Sequence, residues 1–286
     1  MAELINFTHS PELESVRIKR RKLDGESTSE LCTHPGSFGD MCIRCGQKLD
    51  GESGVTFAYI HKELRLHHEE ISRLRNTDAN QKLYLMLDLD HTLLNSTHLA
   101  HLNSQELHLI SQPDSLGGSL FKLDKIHMMT KLRPFVRTFL REASQMFDMY
   151  IYTMGDRPYA LEMAKLLDPQ GKYFNAKVIS RDDGTQRHQK GLDIVLGQES
   201  AVVILDDTEQ AWVKHKDNLI LMERYHFFGS SCRQFGLNCK SFAELKSDED
   251  EAEGALNKIL KVLKQVHYKF FDELKEDIAE RDVSRF

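Results

Sequence analysis

The sequence predicts an α/β fold with a mainly parallel β-sheet flanked by helices. Three short apolar runs, Leu83–Leu87, Met146–Tyr152 and Ala201–Leu205, are separated by segments with helical spacing of apolar residues. A run that is apolar at every position is typical of a strand buried on both faces, as in a parallel sheet covered by helices. Because strands alternate with helices, the carboxyl ends of the strands should meet at one sheet edge, where ligands usually bind.

Composition and charge limit the classes of function expected for this chain. Of the 286 residues, 40% are hydrophobic and 29% are charged, which predicts a globular protein with a substantial core. The net charge of −6 gives no general attraction to nucleic acid or to anionic membranes, and no apolar run approaches the ~20 residues of a membrane span. Five cysteines, an odd number, favour a reducing compartment inside the cell. We therefore expect neither direct nucleic-acid binding nor membrane insertion.

The N-terminal region combines a basic tail with a cysteine-containing segment. Residues 1–30 are polar and are expected to be disordered, and the basic cluster Arg17–Lys22 could be read by a nuclear import receptor or could be a solvated charge run. Residues 31–50 hold four side chains that could close a tetrahedral, structural zinc site: Cys32, His34, Cys42 and Cys45. The alternative is a pair of reduced cysteines beside a histidine.

The spacing of apolar and charged residues predicts further secondary-structure elements. Apolar residues between Tyr59 and Arg75 recur at roughly helical intervals, which predicts a helix before the first apolar run. Alternating residues from Leu120 to Leu132 predict a hairpin, or flap, over the sheet edge. An acidic linker is expected at 247–253, followed at 254–280 by an amphipathic helix that either packs on the domain or binds a partner.

Polar side chains end each apolar run. Asp88 and Asp90 follow the first run one residue apart, Thr153 follows the second, and Asp206 and Asp207 follow the last. Two carboxylates held this close repel each other, so either one is protonated or a cation lies between them. The alternative is a solvated strand end with acids there by chance. The convergence of three such strand ends is far more specific than any single pair.

This set of residues suits hydrolysis of a phosphate ester. Hard oxygen ligands favour Mg²⁺, which keeps several waters and needs few protein carboxylates. A carboxylate can attack phosphorus and form an aspartyl-phosphate, and this divides a difficult displacement into two easier steps. A second carboxylic acid can protonate the departing oxygen and later deprotonate the attacking water.

The motifs resemble those of the haloacid-dehalogenase phosphatase superfamily and, more closely, the Fcp/Scp family of RNA polymerase II C-terminal-domain phosphatases. The matching segments are Leu87–Ser96, Lys131–Pro134, Tyr152–Gly155, Ser180–Asp182, Lys190, and Leu205–Asp207 followed by Trp212. The resemblance implies a haloacid-dehalogenase-like, Rossmann-like sheet and an Fcp-homology phosphatase domain over 59–245. Trp212 itself is expected to be a core residue.

The resemblance also implies a role for each motif residue. Asp88 would be the nucleophile and Asp90 the general acid and base, while Thr92 would support their loop. Thr153 and Lys190 would hold the phosphoryl oxygens.

The metal and the substrate likewise follow from the resemblance. Mg²⁺ would be bound by the Asp88 carboxylate, the Asp90 main-chain carbonyl and Asp207, with Asp206 positioning Lys190 and metal-bound water. Two arginines, Arg133 and Arg181, could meet a phosphopeptide, with buried structural pairing as the alternative.

The implied substrate is the phosphoserine-bearing heptad tail of the largest RNA polymerase II subunit, in the nucleus, with general transcription factors as a second class of partner. Because the chain stops soon after the C-terminal helix, we expect no BRCT domain, which leaves open how the tail is recruited. The alternatives are a phosphatase of another nuclear phosphoprotein and an inactive, phosphopeptide-binding transcription scaffold.

Overall fold

The computed structural model describes residues 32–49, 54–56, 64–67, 81–111, 118–184, 186, 188–195, 197–273 and 281–286. The chain divides into two compact units, Met1–Thr33 and His34–Phe286, and the description below concerns the second. The predicted basic tail lies outside the described residues.

The described residues form strands and α-helices in the following order along the chain. The strands are β1 Gly36–Phe38, β2 Met41–Cys42, β3 Val55–Thr56, β4 Leu64–Leu66, β5 Leu83–Leu87, β6 Leu94–His98, β7 Leu120–Leu123, β8 Met128–Leu132, β9 Phe147–Tyr152, β10 Val178–Ile179, β11 Val202–Asp206 and β12 Leu219–Leu221. The helices are α1 Val136–Met146, α2 Arg157–Leu167, α3 Gly229–Gln234, α4 Phe242–Leu245 and α5 Ala255–Tyr268.

A five-stranded sheet in the order β10-β9-β5-β11-β12 forms the centre of the unit. All four strand pairs are parallel, and every residue of β5 is buried, as the continuous apolar run predicted. From β5 the chain first builds β9 and β10 on one side, then crosses to build β11 and β12 on the other. The order of strands therefore reverses beside β5, which is where open α/β sheets usually form a ligand crevice.

The predicted flap is present as a separate antiparallel sheet. It has the order β6-β8-β7, with Leu94 opposite Leu132 and Leu120 opposite Lys131. A second small apolar cluster holds this sheet to the segment after β12: Leu109, Leu120, Met129, Tyr225, Phe227, Phe228 and Ala243. Because β6 begins only a few residues after Asp88, the flap is tied directly to the edge of the central sheet.

The predicted helix over residues 59–75 is wrong at Leu64–Leu66. These residues form strand β4, which pairs antiparallel with both β1 and β3. Their helical spacing was outweighed by tertiary contacts, because β4 lies between two strand partners and Leu66 is buried in the main core. Apart from Leu64–His67, the residues of the predicted helix lie outside those described.

Helix α5 packs on the domain through α1, the first of the two alternatives that the sequence left open. Its buried side chains are Leu256, Leu260 and Leu263, and they belong to the same apolar cluster as Phe139 and Leu140 of α1. The helix continues as a π-helical turn at Lys269–Glu273, and residues 274–280 of the predicted helix lie outside the described part. Within the described chain, no helix has the length and apolar character needed to cross a membrane.

Candidate active site

The carboxyl ends of the central strands bring the predicted acidic residues together. Asp88 follows β5, and its backbone N–H donates to Leu205 O of β11 at 3.0 Å. Asp206 ends β11 and Asp207 follows it. Carboxylate oxygens from Asp88, Asp206 and Asp207 lie within 4.8 Å of one another, and all three residues are buried.

Lys190 occupies the centre of this carboxylate cluster. Its Nζ donates to Asp88 Oδ1 and to Asp206 Oδ2, each at 2.6 Å, and its side chain is 1% exposed. The ammonium also lies 5.6 Å from the ring centres of Tyr152 and Trp212. Burial alone lowers the pKa of Lys190, but the two neighbouring carboxylates outweigh burial and raise its pKa above the ordinary value. Lys190 is therefore a fixed cation.

Asp206 positions Lys190 and has no free oxygen. Its Oδ2 accepts from Lys190 and also from Trp212 Nε1 at 2.8 Å, and its Oδ1 accepts from the Thr208 backbone N–H at 2.8 Å. Trp212 is buried, as expected of a core residue, but its indole N–H also has this polar partner in the site. Sequence reasoning missed that contact, because only the fold brings the indole under Asp206.

Asp207 is held by Arg224, a residue that the sequence analysis did not identify. Arg224 Nε donates to Asp207 Oδ2 at 2.5 Å, and Thr208 Oγ1 donates to Asp207 Oδ1 at 3.1 Å. The guanidinium of Arg224 stacks over the ring of Phe235, 4.2 Å from its centre. No motif marks Arg224, since it lies in the irregular segment after β12.

The electrostatics of the cluster suit a divalent cation. Burial raises the pKa of Asp88 well above its usual range, and repulsion from Asp206 raises it further, against the opposing effect of Lys190. Three carboxylates share one buried ammonium and one guanidinium, so negative charge is in excess. Clustered carboxylate oxygens are the ligands that Mg²⁺ prefers, and the donor set therefore fits the predicted metal.

Asp90 is two residues after Asp88 and has its own hydrogen-bond partner. The hydroxyl of Tyr159, from α2, donates to Asp90 Oδ1 at 2.5 Å and also contacts Ser96 Oγ at 2.9 Å. Burial raises the pKa of Asp90, while the hydrogen bond from Tyr159 opposes that shift. A carboxyl with a raised pKa can serve as a proton donor near neutral pH. Tyr159 was not predicted, because its contact depends on the packing of α2.

The remaining predicted polar residues occupy different environments. Thr153 is buried, and its Oγ1 accepts from the Gly155 N–H at 3.0 Å, which leaves the hydroxyl proton available. Thr92 is fully buried, and among the described residues its hydroxyl has no hydrogen-bond partner. Arg181 is more than half exposed, with Nε 3.9 Å from a carboxylate oxygen of Asp182.

Arg133 forms a buried ion pair, which is the alternative to peptide binding that the sequence left open. Its side chain is 0% exposed and forms two hydrogen bonds with Glu249, at 2.9 and 2.7 Å. Its NH1 donates to Thr92 O at 3.0 Å, inside the loop that carries Asp88 and Asp90. A guanidinium enclosed in this way supports the loop that carries Asp88 and Asp90 and is not exposed to solvent.

The segment expected to be an acidic linker is docked at this point. Asp248 pairs with buried Lys131 at 2.6 Å and accepts from the Tyr225 hydroxyl at 2.7 Å. We call Asp248 and Glu249 the acidic strap. Buried basic partners on the flap and after β8 explain why a strongly charged sequence packs here instead of remaining in solvent.

The cysteine-containing segment also gathers ligand atoms. Atoms of His34, Cys42 and Cys45 lie within 4.8 Å of one another, and Cys45 Sγ is 3.5 Å from His34 Nδ1. Hydrogen bonds lower the pKa of Cys42 to about 6, and the one with the Cys45 backbone has the largest effect. Cys32 belongs to the N-terminal unit, so this geometry is described for the other three residues.

Comparison with known families identifies the chain. Residues 83–250, more than half of the sequence, match the family described as NLI interacting factor-like phosphatase. The chain belongs to this family. The matched segment begins at β5 and ends in the residues just after the acidic strap, so it contains the carboxylate cluster, Lys190 and the flap. The family prediction made from the motifs is confirmed.

Two plant proteins are similar to the chain over most of its length. The chain is 62% identical over 282 residues to RNA polymerase II C-terminal domain phosphatase-like 4 of Arabidopsis thaliana, covering 93% of this chain and 64% of that protein. It is 41% identical to phosphatase-like 3 of the same plant, covering 73% of this chain and 18% of that protein. The chain thus spans less than two thirds of the length of either relative.

A solved structure confirms the predicted haloacid-dehalogenase-like fold. The fission yeast RNA polymerase II CTD phosphatase bound to beryllium fluoride superposes with a TM-score of 0.57 and 26% identity. The similarity covers 76% of this chain and 72% of that one.

Proposed function

We propose that this chain is a Mg²⁺-dependent phosphoserine phosphatase that works through an aspartyl-phosphate on Asp88. The observation that carries the proposal is the buried contact of Lys190 with both Asp88 and Asp206 at 2.6 Å. Lys190 binds Asp88 Oδ1, and Asp88 Oδ2 accepts no hydrogen bond from the described residues, so a lone pair remains available for attack.

We assign one residue or more to each chemical step. Asp88 attacks phosphorus and the bond to the serine oxygen breaks, while Asp90 gives that oxygen a proton. Water then attacks the aspartyl-phosphate, Asp90 takes a proton from the water, and inorganic phosphate leaves. Lys190 and the hydroxyl of Thr153 bind the phosphoryl oxygens as their charge grows. The hydrogen bond from Tyr159 fixes the orientation of Asp90.

The metal would be held by the Asp88 and Asp207 carboxylates together with the Asp90 main-chain carbonyl. When bound, Mg²⁺ supplies positive charge that offsets repulsion between the nucleophile and the phosphate. Asp206 accepts three hydrogen bonds, from Lys190, Trp212 and the Thr208 amide, and Lys190 is one of those donors, which favours a positioning role for Asp206. Asp207 accepts two, and neither comes from Lys190.

The substrate we propose is the phosphorylated heptad tail of RNA polymerase II. Relatives with 62% and 41% identity carry names that describe phosphatases of this tail. A role on the polymerase tail would place the protein in the nucleus and in transcription regulation, with general transcription factors as further partners. Another nuclear phosphoprotein is the second candidate substrate, and an inactive phosphopeptide-binding scaffold is the alternative without catalysis.

Turnover on phosphopeptides tests the proposal directly. We expect singly phosphorylated heptad peptides to release phosphate in the presence of Mg²⁺ and none to be released after chelation, with recovery when Mg²⁺ is restored. Asp88→Asn should remain folded and inactive, and beryllium fluoride should bind the wild type and not this variant. An Asp88→Asn protein that retains activity would contradict the aspartyl-phosphate mechanism, and a folded wild type without turnover would favour the scaffold.

We further propose a structural Zn²⁺ bound by His34, Cys42 and Cys45, with Cys32 as the fourth ligand suggested by the sequence. The backbone N–H of Arg44 donates to Cys42 Sγ at 3.3 Å, an arrangement that stabilises a thiolate ligand. Metal analysis should find about one zinc per chain, lost in Cys42→Ser with Cys45→Ser. Removal of the metal should make residues 31–50 sensitive to protease, because a structural zinc supplies folding energy. Zinc-free protein that resists protease would support the alternative of reduced cysteines.

A further inference from the structure

A cavity between the flap and helix α3 is lined by described residues that do not include Asp88. This cavity, here called the flap groove, has a volume of about 760 Å³. Ser96 and His98 of β6, His101 of the following turn, and Arg233 of α3 form part of its lining. Its volume falls within the range of ~300–1,000 Å³ that is usual for ligand sites.

The flap groove is linked to the proposed acid and base through Ser96. Ser96 lines the groove, and its hydroxyl lies within hydrogen-bond distance of the Tyr159 hydroxyl, at 2.9 Å. The same Tyr159 hydroxyl donates to Asp90 at 2.5 Å. A peptide whose phosphoserine reaches Asp88 would therefore extend into the groove on the side of Asp90.

The charge of the flap groove suits an anionic peptide. Of the described residues that line it, none is acidic. Arg233 is exposed, donates through NH2 to His101 O at 3.1 Å, and interacts electrostatically with Glu244, but it forms no direct ion pair with a described residue. In contrast, Arg133 and Arg224 are both held by carboxylates. The guanidinium of Arg233 thus retains donors in the planar arrangement that binds a phosphate through two hydrogen bonds.

The wall that carries Arg233 is already fixed in place. Thr97 Oγ1 of β6 and Ser230 Oγ of α3 form a hydrogen bond at 2.7 Å. The backbone N–H of Gly229 donates to buried Glu106 at 2.7 Å, so the start of α3 is attached to the segment after β6. A preformed wall loses little conformational entropy when a ligand binds.

We propose that the flap groove binds the part of the substrate next to the target phosphoserine, and that Arg233 recognises a second phosphate there. This inference rests on the proposed phosphatase function. It predicts that the protein selects segments that are phosphorylated at two positions over segments phosphorylated at one. Arg233 would then determine specificity without taking part in the chemical steps.

The test compares peptides of one length that carry one phosphoserine, two phosphoserines, or one phosphoserine and a glutamate at the second position. The second phosphoserine, or the glutamate that replaces it, is placed on either side of the target phosphoserine. The quantity measured is the ratio of kcat/KM for each peptide to that for the singly phosphorylated one, in the full chain with Mg²⁺ and ~0.15 M salt. Arg233→Gln is the test variant. Arg137→Gln is the matched control, because Arg137 is also exposed and also donates to a backbone carbonyl.

We expect the wild type to favour the doubly phosphorylated peptide on one side of the target by about tenfold, and Arg233→Gln to lose most of that preference. Arg137→Gln should keep the preference, and the glutamate peptide should gain less than the second phosphate. No preference in the wild type, or an equal loss in both variants, would overturn the proposal. Equal gain from glutamate would overturn the assignment to phosphate.

A binding measurement separates this inference from the proposed function. Dissociation constants for the same peptides, measured by fluorescence anisotropy in an Asp88→Asn background, should show the same dependence on Arg233. If no peptide is turned over by the wild type, the phosphatase proposal fails. The ratio of dissociation constants still decides whether Arg233 binds the second phosphate, and a ratio unchanged by Arg233→Gln rejects the inference.

Discussion

Glu249→Gln tests whether the acidic strap supports the catalytic loop. The change keeps the size of the side chain and removes its charge, leaving Arg133, whose side chain is 0% exposed, without its ionic partner. Breaking a buried ion pair by removing one partner typically costs ~3–5 kcal/mol. Arg133 retains its bond to Thr92 O, so we expect a loss of about 3 kcal/mol of unfolding free energy.

Urea denaturation followed by circular dichroism measures this loss. The matched control is Glu253→Gln, which removes an exposed charge from the same acidic segment and should change stability by less than ~0.5 kcal/mol. Turnover per folded molecule should fall in Glu249→Gln, because the loop that carries Asp88 rests on Arg133. A stability loss no larger than that of the control would refute the role we assign to the strap.

A double variant separates stability from support of the loop. Replacing a buried ion pair by apolar side chains is often neutral or stabilising. Arg133→Met combined with Glu249→Leu should therefore be more stable than Glu249→Gln alone. Its turnover should stay low, because methionine cannot donate to Thr92 O. Recovery of both stability and activity would show that the ion pair matters for folding only.

Three further predictions concern the proposed chemistry. In rapid-mix experiments on an activated aryl phosphate, Asp90→Asn should give a burst of about one aryl alcohol per site followed by slow turnover, since the first step needs no acid and the second needs a base; absence of a burst would move that role elsewhere. Tyr159→Phe should slow the first step on phosphoserine peptide more than on the aryl phosphate, because only the peptide step needs Asp90 held for proton transfer. Trp212→Phe removes the hydrogen bond to Asp206 and also shrinks a buried side chain, so stability should fall by more than the ~1 kcal/mol of one hydrogen bond and turnover should decrease; unchanged turnover would show that the indole N–H is not needed for the chemistry.

Local patterns in the sequence predicted the central sheet and part of the candidate site. The apolar runs before Asp88, Thr153 and Asp206 predicted buried parallel strands, and the structure gathers those strand ends at one edge. The same kind of reasoning was wrong for Leu64–Leu66, where strand pairing outweighed an apparent helical spacing. The spacing of apolar residues shows which face of an element can be buried. Whether the element forms a helix or a strand also depends on whether a neighbouring strand is available for pairing.

The sequence by itself determined the α/β class, the family and the acidic residues at the strand ends, because these depend on short-range order along the chain. Only the tertiary structure decided that Trp212 holds Asp206, that Tyr159 holds Asp90 and that Glu249 neutralises Arg133. The last two contacts join residues that are 69 and 116 positions apart. A buried charge or hydroxyl requires a partner, but the sequence does not state which distant residue supplies it, since that choice follows from how the helices and the strap pack on the sheet.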